Sequence, residues 1–146
     1  MKTVNVYLNF LGNCEAAFLF YQSVFGGEFS YLSRFKDMPL QEGMPPMPEE
    51  MMNQILHISL PISKETILMG SDTGNDWAPG FIVGNNFSIS VSVESREEAD
   101  RVFKELSAGG KVTMPMEMVF WGDYFGMFTD KFGINWMIGF ENAKAR

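Results

Sequence analysis

Cysteine is nearly absent from the chain. Cys14 is the one thiol among 146 residues, so no disulfide can close within the molecule, and a lone cysteine suits a reducing compartment better than a secreted scaffold. Positive charge is scarce as well: eleven Lys and Arg stand against eighteen Asp and Glu, a formal net charge of −7. A phosphate backbone or an anionic membrane surface would repel such a protein, which argues against nucleic acid and membrane as partners. No stretch approaches the roughly 18 consecutive apolar residues of a membrane span. The opening, MKTVNVYLNFLGNCEAA, has neither the long apolar run nor the small-residue cleavage site of a signal peptide, and a cytoplasmic location is expected. Apolar residues are plentiful. They make up 46% of the chain against 20% charged, which suits one domain burying about 70% of its unfolded surface.

Self-similarity organises the chain. An offset of 83 residues lays LNFLGNCEAAFLFYQSVFGG (8–27) on VSVESREEADRVFKELSAGG (91–110) without a gap, matching Glu15 with Glu98, Ala16 with Ala99 and Phe20 with Phe103. Gly26-Gly27 meets Gly109-Gly110 under the same offset. Farther on, an offset of 68 lays Leu68-Met69 on Trp136-Met137, so the first half holds about 15 extra residues between its second and third strands. A single domain over 1–146 is expected, with module one at 1–72, a linker at 73–84 and module two at 85–141. The insert, Lys36 to Asn53, carries four of the seven prolines and five of the twelve methionines. That composition reads as an irregular loop, and its methionines suit a mobile lid over a binding cleft or a seal between subunits.

Each half alternates clearly. Asn5, Tyr7 and Asn9 interleave with Val6, Leu8 and Phe10, and Ser88, Ser90 and Ser92 interleave with Ile89, Val91 and Val93, the period of strands with one apolar face. A helix over Asn13 to Phe25 starts at an Asn cap, carries the stripe Ala17, Phe18, Tyr21, Val24 and Phe25, and ends at Gly26. A second helix opens with a capping box of Ser95 and Glu98 and buries Ala99, Val102, Phe103 and Leu106. Further strands are expected at Glu28–Phe35, Ile55–Ile62, Glu65–Ser71, Lys111–Met118, Tyr124–Thr129 and Ile134–Phe140. The fold class is α+β, built as βαβββ twice.

Each helix must cover the apolar face of its own sheet, which makes the opposite face the informative one. That face should carry Asn5, Tyr7, Asn9, Ile55, His57 and Ser59, then Ile67, Met69 and Ser71 from the first half. Ser88, Ser90, Ser92, Asn135 and Met137 should follow from the second. Mixed polar and apolar residues on a concave surface describe a cleft for a small molecule or a face packed on a partner subunit. His57, the only histidine, is a candidate general base or a hydrogen-bonded structural residue. Glu117 precedes the aromatic loop Phe120-Trp121-Gly122-Asp123-Tyr124, which can bring a carboxylate and the Trp121 indole to the rim of that cleft. Cys14, at a helix start, is either a favoured thiolate or the beginning of the buried stripe.

A paired βαβββ arrangement resembles the vicinal oxygen chelate superfamily, which includes glyoxalase I, extradiol dioxygenases and bleomycin-resistance proteins. The segments YLNFLGNCEAAFLFYQSVFGG, ILHISL, the GSD of Gly70 to Asp72, AGGKVTMPMEMVFWGDYFG and TDKFGINWMI look like its PhnB-like branch across nearly the whole chain. Members of that branch are often described as demethylubiquinone methyltransferase-like. The sequence shows no glycine-rich turn of the kind a nucleotide cofactor needs, so neither that chemistry nor a cofactor is expected. The resemblance implies a metal held by one ligand from each of four strands, two per half. Carried over, those positions are Asn5, Met69, Ser88 and Met137, and the repeat independently lays Asn5 on Ser88 and Met69 on Met137. None is His, Glu or Asp, and thioether sulfur suits soft copper rather than a hard divalent ion, so the usual metal centre is not expected.

Three readings follow. The first is a glyoxalase-fold binding protein that takes a small apolar or aromatic molecule without the usual metal, through Asn5, Tyr7, His57, Met69, Ser88, Ser90, Trp121 and Met137. The second is a lyase-, isomerase- or dioxygenase-type enzyme using His57, with Glu117 and a metal in a nonstandard place. The third is a dimeric interaction module. In each the resemblance implies a homodimer.

Overall fold

Side-chain alternation sets the first strand, β1 (Val6–Phe10), which buries Leu8 and Phe10 and leaves Tyr7 and Asn9 exposed. The computed structural model describes residues 1–39, 42–43, 46–74 and 79–141. These fall into two units, Met1–Phe81 and Ile82–Arg146. In the first, β1 is followed by α1 (Cys14–Phe25), β2 (Tyr31–Arg34), a single 3₁₀ turn at Phe35–Asp37, α2 (Glu49–Met52), β3 (Ile55–Pro61) and β4 (Ile67–Asp72). The sheet order is β1-β4-β3-β2, with β1 parallel to β4 and the other pairs antiparallel. The second unit repeats this with β5 (Ile89–Val93), α3 (Arg96–Ser107), β6 (Lys111–Met118), β7 (Tyr124–Thr129) and β8 (Asn135–Phe140), ordered β5-β8-β7-β6. Two four-stranded sheets with their helices give the α+β, twice-βαβββ class expected. The repeat extends to register: Val6 pairs with Leu68 as Ile89 pairs with Trp136, which preserves both sequence offsets.

Both helices bury most of the stripes their spacing marks, Cys14, Ala17, Phe18, Tyr21 and Val24 in α1 and Ala99, Val102 and Leu106 in α3, while Phe25 and Phe103 are half-buried. Their N-termini differ from expectation. Asn13 occupies the cap position of α1 without a side-chain bond. Asp72, buried at the end of β4, supplies it instead: Oδ1 accepts from Cys14 N–H at 2.9 Å and Oδ2 from Ile55 N–H at 2.9 Å. One carboxylate thus ties a helix start to two strands. At α3, Ser95 Oγ accepts from Glu98 N–H at 3.0 Å, but the Glu98 carboxylate reaches Glu94 N–H at 3.2 Å. The capping box is therefore displaced by one residue on its return arm.

Helix and sheet meet through a glycine in each unit. A Cβ on Gly70 would lie 2.7 Å from Phe18 Cε1, and a Cβ on Gly126 would lie 2.8 Å from Phe103 Cε2. The cross-strand partners are Ile58 for Gly70 and Ile138 for Gly126. Under the offset of 68, these glycine and isoleucine positions exchange places between the units. Each ring thus finds a gap beside an isoleucine, though on a different strand. Asp130 closes the β7–β8 hairpin, accepting from Phe132 and Ile134 N–H and from the indole N–H of fully buried Trp136.

Three local expectations need correction. The second strand spans Tyr31–Arg34 rather than Glu28–Phe35, because Phe35 already enters the 3₁₀ turn. Ile55 is fully buried instead of lying on the exposed face, since the β2–β3 register slips between Ser33 and Arg34 and interrupts alternation there. The insert is not wholly irregular: Glu49–Met52 is helical and Met51 is buried. Its ends are pinned by Phe35 N–H to Gln54 O at 3.1 Å and by Lys36 Nζ to Asn53 Oδ1 at 3.2 Å. Met44 and Pro45 lie outside the described residues, as does part of the 73–84 linker. Among the described residues no helix is long and apolar enough to cross a membrane.

Candidate ligand-binding site

With α1 against the Gly70 side of the first sheet, register assigns the opposite face. Tyr7 and Met69 are partners, Met69 and Ser59 are partners, and Ser59 pairs with Tyr31, a row that crosses all four strands. The next row includes Asn9 with Ser71 and His57 with Ser33. Tyr7 Oη and His57 Nδ1 lie 3.2 Å apart, and His57 Nε2 lies 2.9 Å from Ser59 Oγ. The imidazole is thus engaged at both nitrogens. The Tyr7 and Tyr31 rings flank it, each with its centroid 5.5 Å from that of His57. Tyr7 is 44% exposed and Tyr31 56%, while Ser59 is buried at 7%. A polar chain therefore runs from an accessible phenol through a half-buried imidazole to a buried hydroxyl.

The structure gathers some of the candidate residues and separates others. Tyr7, His57 and Met69 share the open face of the first sheet. Asn5 stands one turn of the pleat before Tyr7, with Oδ1 accepting from Ile67 N–H at 3.0 Å and Nδ2 donating to Thr3 Oγ1 at 3.3 Å. Ser88, Ser90, Met137, Glu117 and Trp121 belong to the second unit. There Ser90 pairs with Met137, Met137 with Met127, and Met127 with Met114, so the row that is polar and aromatic in the first unit is mostly thioether in the second. Exposed Ser88 precedes β5. Exposed Glu117 pairs with Phe125, which places it on the open face of that sheet. Trp121 is 46% exposed and donates its indole N–H to Asp123 Oδ2 at 2.8 Å. Cys14 is fully buried, and burial, with Asp72 and Glu15 nearby, pushes its thiol well above the ordinary range, so it is no reactive thiolate.

Tyr31 is the residue that sequence reasoning missed. Alternation of Tyr31 and Ser33 inside an expected strand carried the signal, but Leu32 and Arg34 alternate with them, so neither face of β2 reads as the apolar one in the sequence. The positions that the resemblance implies for a metal can each be tested on their own chemistry. Asn5 Oδ1 already accepts a backbone hydrogen bond, Met69 and Met137 offer thioethers, and Ser88 a neutral hydroxyl. Taken one by one, these donors do not suit a hard divalent ion. Among the described residues no three His, Cys, Asp or Glu side chains gather as a group able to hold a metal.

Comparison with known proteins adds identity by descent to this geometry. The family model described as Glyoxalase/Bleomycin resistance protein/Dioxygenase superfamily matches residues 3–138. Protein YjdN of Escherichia coli K12 is 35% identical over 138 residues, covering 90% of each chain. The crystal structure of protein PA1353 from Pseudomonas aeruginosa superposes with a TM-score of 0.80 at 37% identity, covering 95% of this chain and 97% of that one. A PhnB protein from Bacillus cereus gives 0.68 at 25% identity, with 94% and 98% covered.

Proposed function

The chain belongs to the glyoxalase/bleomycin resistance protein/dioxygenase superfamily, with PhnB-like relatives, and from that premise we propose that it binds a small apolar or aromatic molecule without the superfamily's usual metal. The observation that carries this is the Tyr7–His57–Ser59 chain on an open sheet face, bordered by the Tyr31 ring and the Met69 thioether. Aromatic and methionine side chains supply adaptable apolar contact, and a few fixed polar groups orient what binds. Met137 and Ser90 offer comparable chemistry on the second sheet, and Trp121 an exposed ring beside it.

Thermal melts against a panel of small aromatic and apolar molecules test the reading. At about one hundred times its dissociation constant a ligand adds about 2.7 kcal/mol, a shift of several degrees in Tm for a chain of this size. Stabilisation that survives both Tyr31→Ala and Met69→Ala puts the binding elsewhere. Failure of the whole panel counts against a small-molecule role and favours the interaction module.

One observation favours a second reading, an enzyme of lyase, isomerase or dioxygenase type: His57 bridges two hydroxyl groups, an arrangement able to move a proton. Elemental analysis of protein purified without chelator or affinity tag separates the two. The binding-protein reading expects far less than one zinc, nickel or iron per chain. Close to one ion, together with loss of that ion in His57→Ala, would favour the enzyme.

A further inference from the structure

The polar chain on the first sheet has a property that follows from counting its hydrogens. A neutral imidazole holds one N–H, so it donates to one neighbour and accepts from the other. Either Tyr7 gives its hydroxyl hydrogen to Nδ1 while Nε2 donates to Ser59, or Ser59 donates to Nε2 while Nδ1–H points at Tyr7 Oη. A protonated imidazole removes the choice, because both nitrogens then donate. Tyr7 Oη must accept, and its hydroxyl hydrogen is released to point outward from a side chain that is 44% exposed. Protonation thus converts the accessible end of the chain into a committed donor with a positive charge behind it.

The surroundings make that charge decisive. The side chains facing His57 are Tyr7 from β1, Tyr31 and Ser33 from β2, Met69 and Ser71 from β4, and Ser59 on its own strand. The set contains no carboxylate, lysine or arginine. Among the described residues no ion pair joins His57 to a carboxylate. Among the described side chains of this set, His57 is the one that gains a positive charge by taking up a proton, in a chain of net charge −7. We infer that the ligand of this face is an aromatic carboxylate, its ring against Tyr7 and Tyr31 and its carboxylate on the Tyr7 hydroxyl, and that His57 is protonated as it binds. The inference rests on the small-molecule reading above and narrows its ligand class.

His57 being the only histidine, its imidazole gives one unmistakable NMR signal. The test follows that signal from about pH 5 to about pH 8, alone and with benzoate or its uncharged analogue benzyl alcohol. A ligand that prefers the charged form tenfold raises the midpoint by about one unit, so saturating benzoate should shift it upward by about that much and bind more weakly as pH rises. Benzyl alcohol should leave the midpoint in place. Tyr7→Phe should keep the titration but weaken benzoate about tenfold, the loss of one charged hydrogen bond. His57→Gln, checked for folding by circular dichroism, should lose the pH dependence. Benzoate binding with an unmoved midpoint, or equal binding of both probes, overturns the carboxylate inference and leaves a binding face. If neither probe perturbs the signal, the carboxylate inference is refuted and the first sheet loses its standing as an aromatic-binding face.

Discussion

At the scale of single residues, buried and half-buried carboxylates do the joining. Asp72 satisfies two backbone N–H groups at once, and Asp72→Ala leaves both without an acceptor. A loss of about 3 kcal/mol is expected, from two hydrogen bonds to one charged group, read as a lower urea midpoint with little change in slope. Glu15 works closer to solvent. Its two oxygens accept from Arg34 Nη1 at 2.9 Å and Nη2 at 2.7 Å. The Arg34 hydrogen bonds hold this carboxyl below its ordinary range, burial opposes them, and the guanidinium charge adds to them. A depressed folded value means that the stabilisation is complete above the ordinary carboxylate range and fades as pH falls through the folded value. Glu15→Gln should therefore lower stability at neutral and alkaline pH, where the pair with Arg34 is intact, change little at the acid end, and so flatten the acid side of a stability-against-pH curve. An unaltered acid limb in urea titrations would remove Glu15 from the account.

At the scale of elements, each helix sits where a strand has no side chain. Gly126→Ala pushes a methyl group toward Met116 Sδ at 2.7 Å and Phe103 Cε2 at 2.8 Å, so α3 must lift or its ring must turn. Overpacking of this kind costs about 1–3 kcal/mol, and the variant should melt several degrees lower, although alanine ordinarily improves on glycine within a strand. An equal or higher Tm would show that the helix adapts freely. The insert between β2 and β3 is anchored at both ends and through Met51. Replacing residues 39–47 by a short Gly-Ser turn should then leave a folded protein with altered affinity for small aromatic molecules. Unfolding would make the segment structural, and unchanged affinity would end its proposed role as a lid.

At the scale of the molecule, β1 and β2 stand at the ends of one sheet and β5 and β6 at the ends of the other, each with one strand neighbour among the described residues. Apolar side chains are also left in water: Phe120 is 96% exposed, Ile82 84% and Phe87 53%. Exposed edges and apolar residues of this kind favour association, and symmetric pairing is its commonest form. A homodimer is the expected state. Light scattering at micromolar concentration should give twice the 16.5 kDa chain mass, and a monomer mass would contradict it.

The sequence by itself determined what depends on local periodicity. The two βαβββ modules, most of each helix stripe and the strand faces bearing Tyr7 and His57 were legible, because alternation, helical spacing and a 20-residue internal match survive without three-dimensional information. Only the tertiary structure decided what joins distant positions. Tyr7 meets His57 across 50 residues, Asp72 caps a helix that starts 58 residues earlier, and Gly70 and Gly126 are small because Phe18 and Phe103 fill the space above them. The physical reason is that a side chain's period shows the face it occupies, whereas its partner depends on strand order and register.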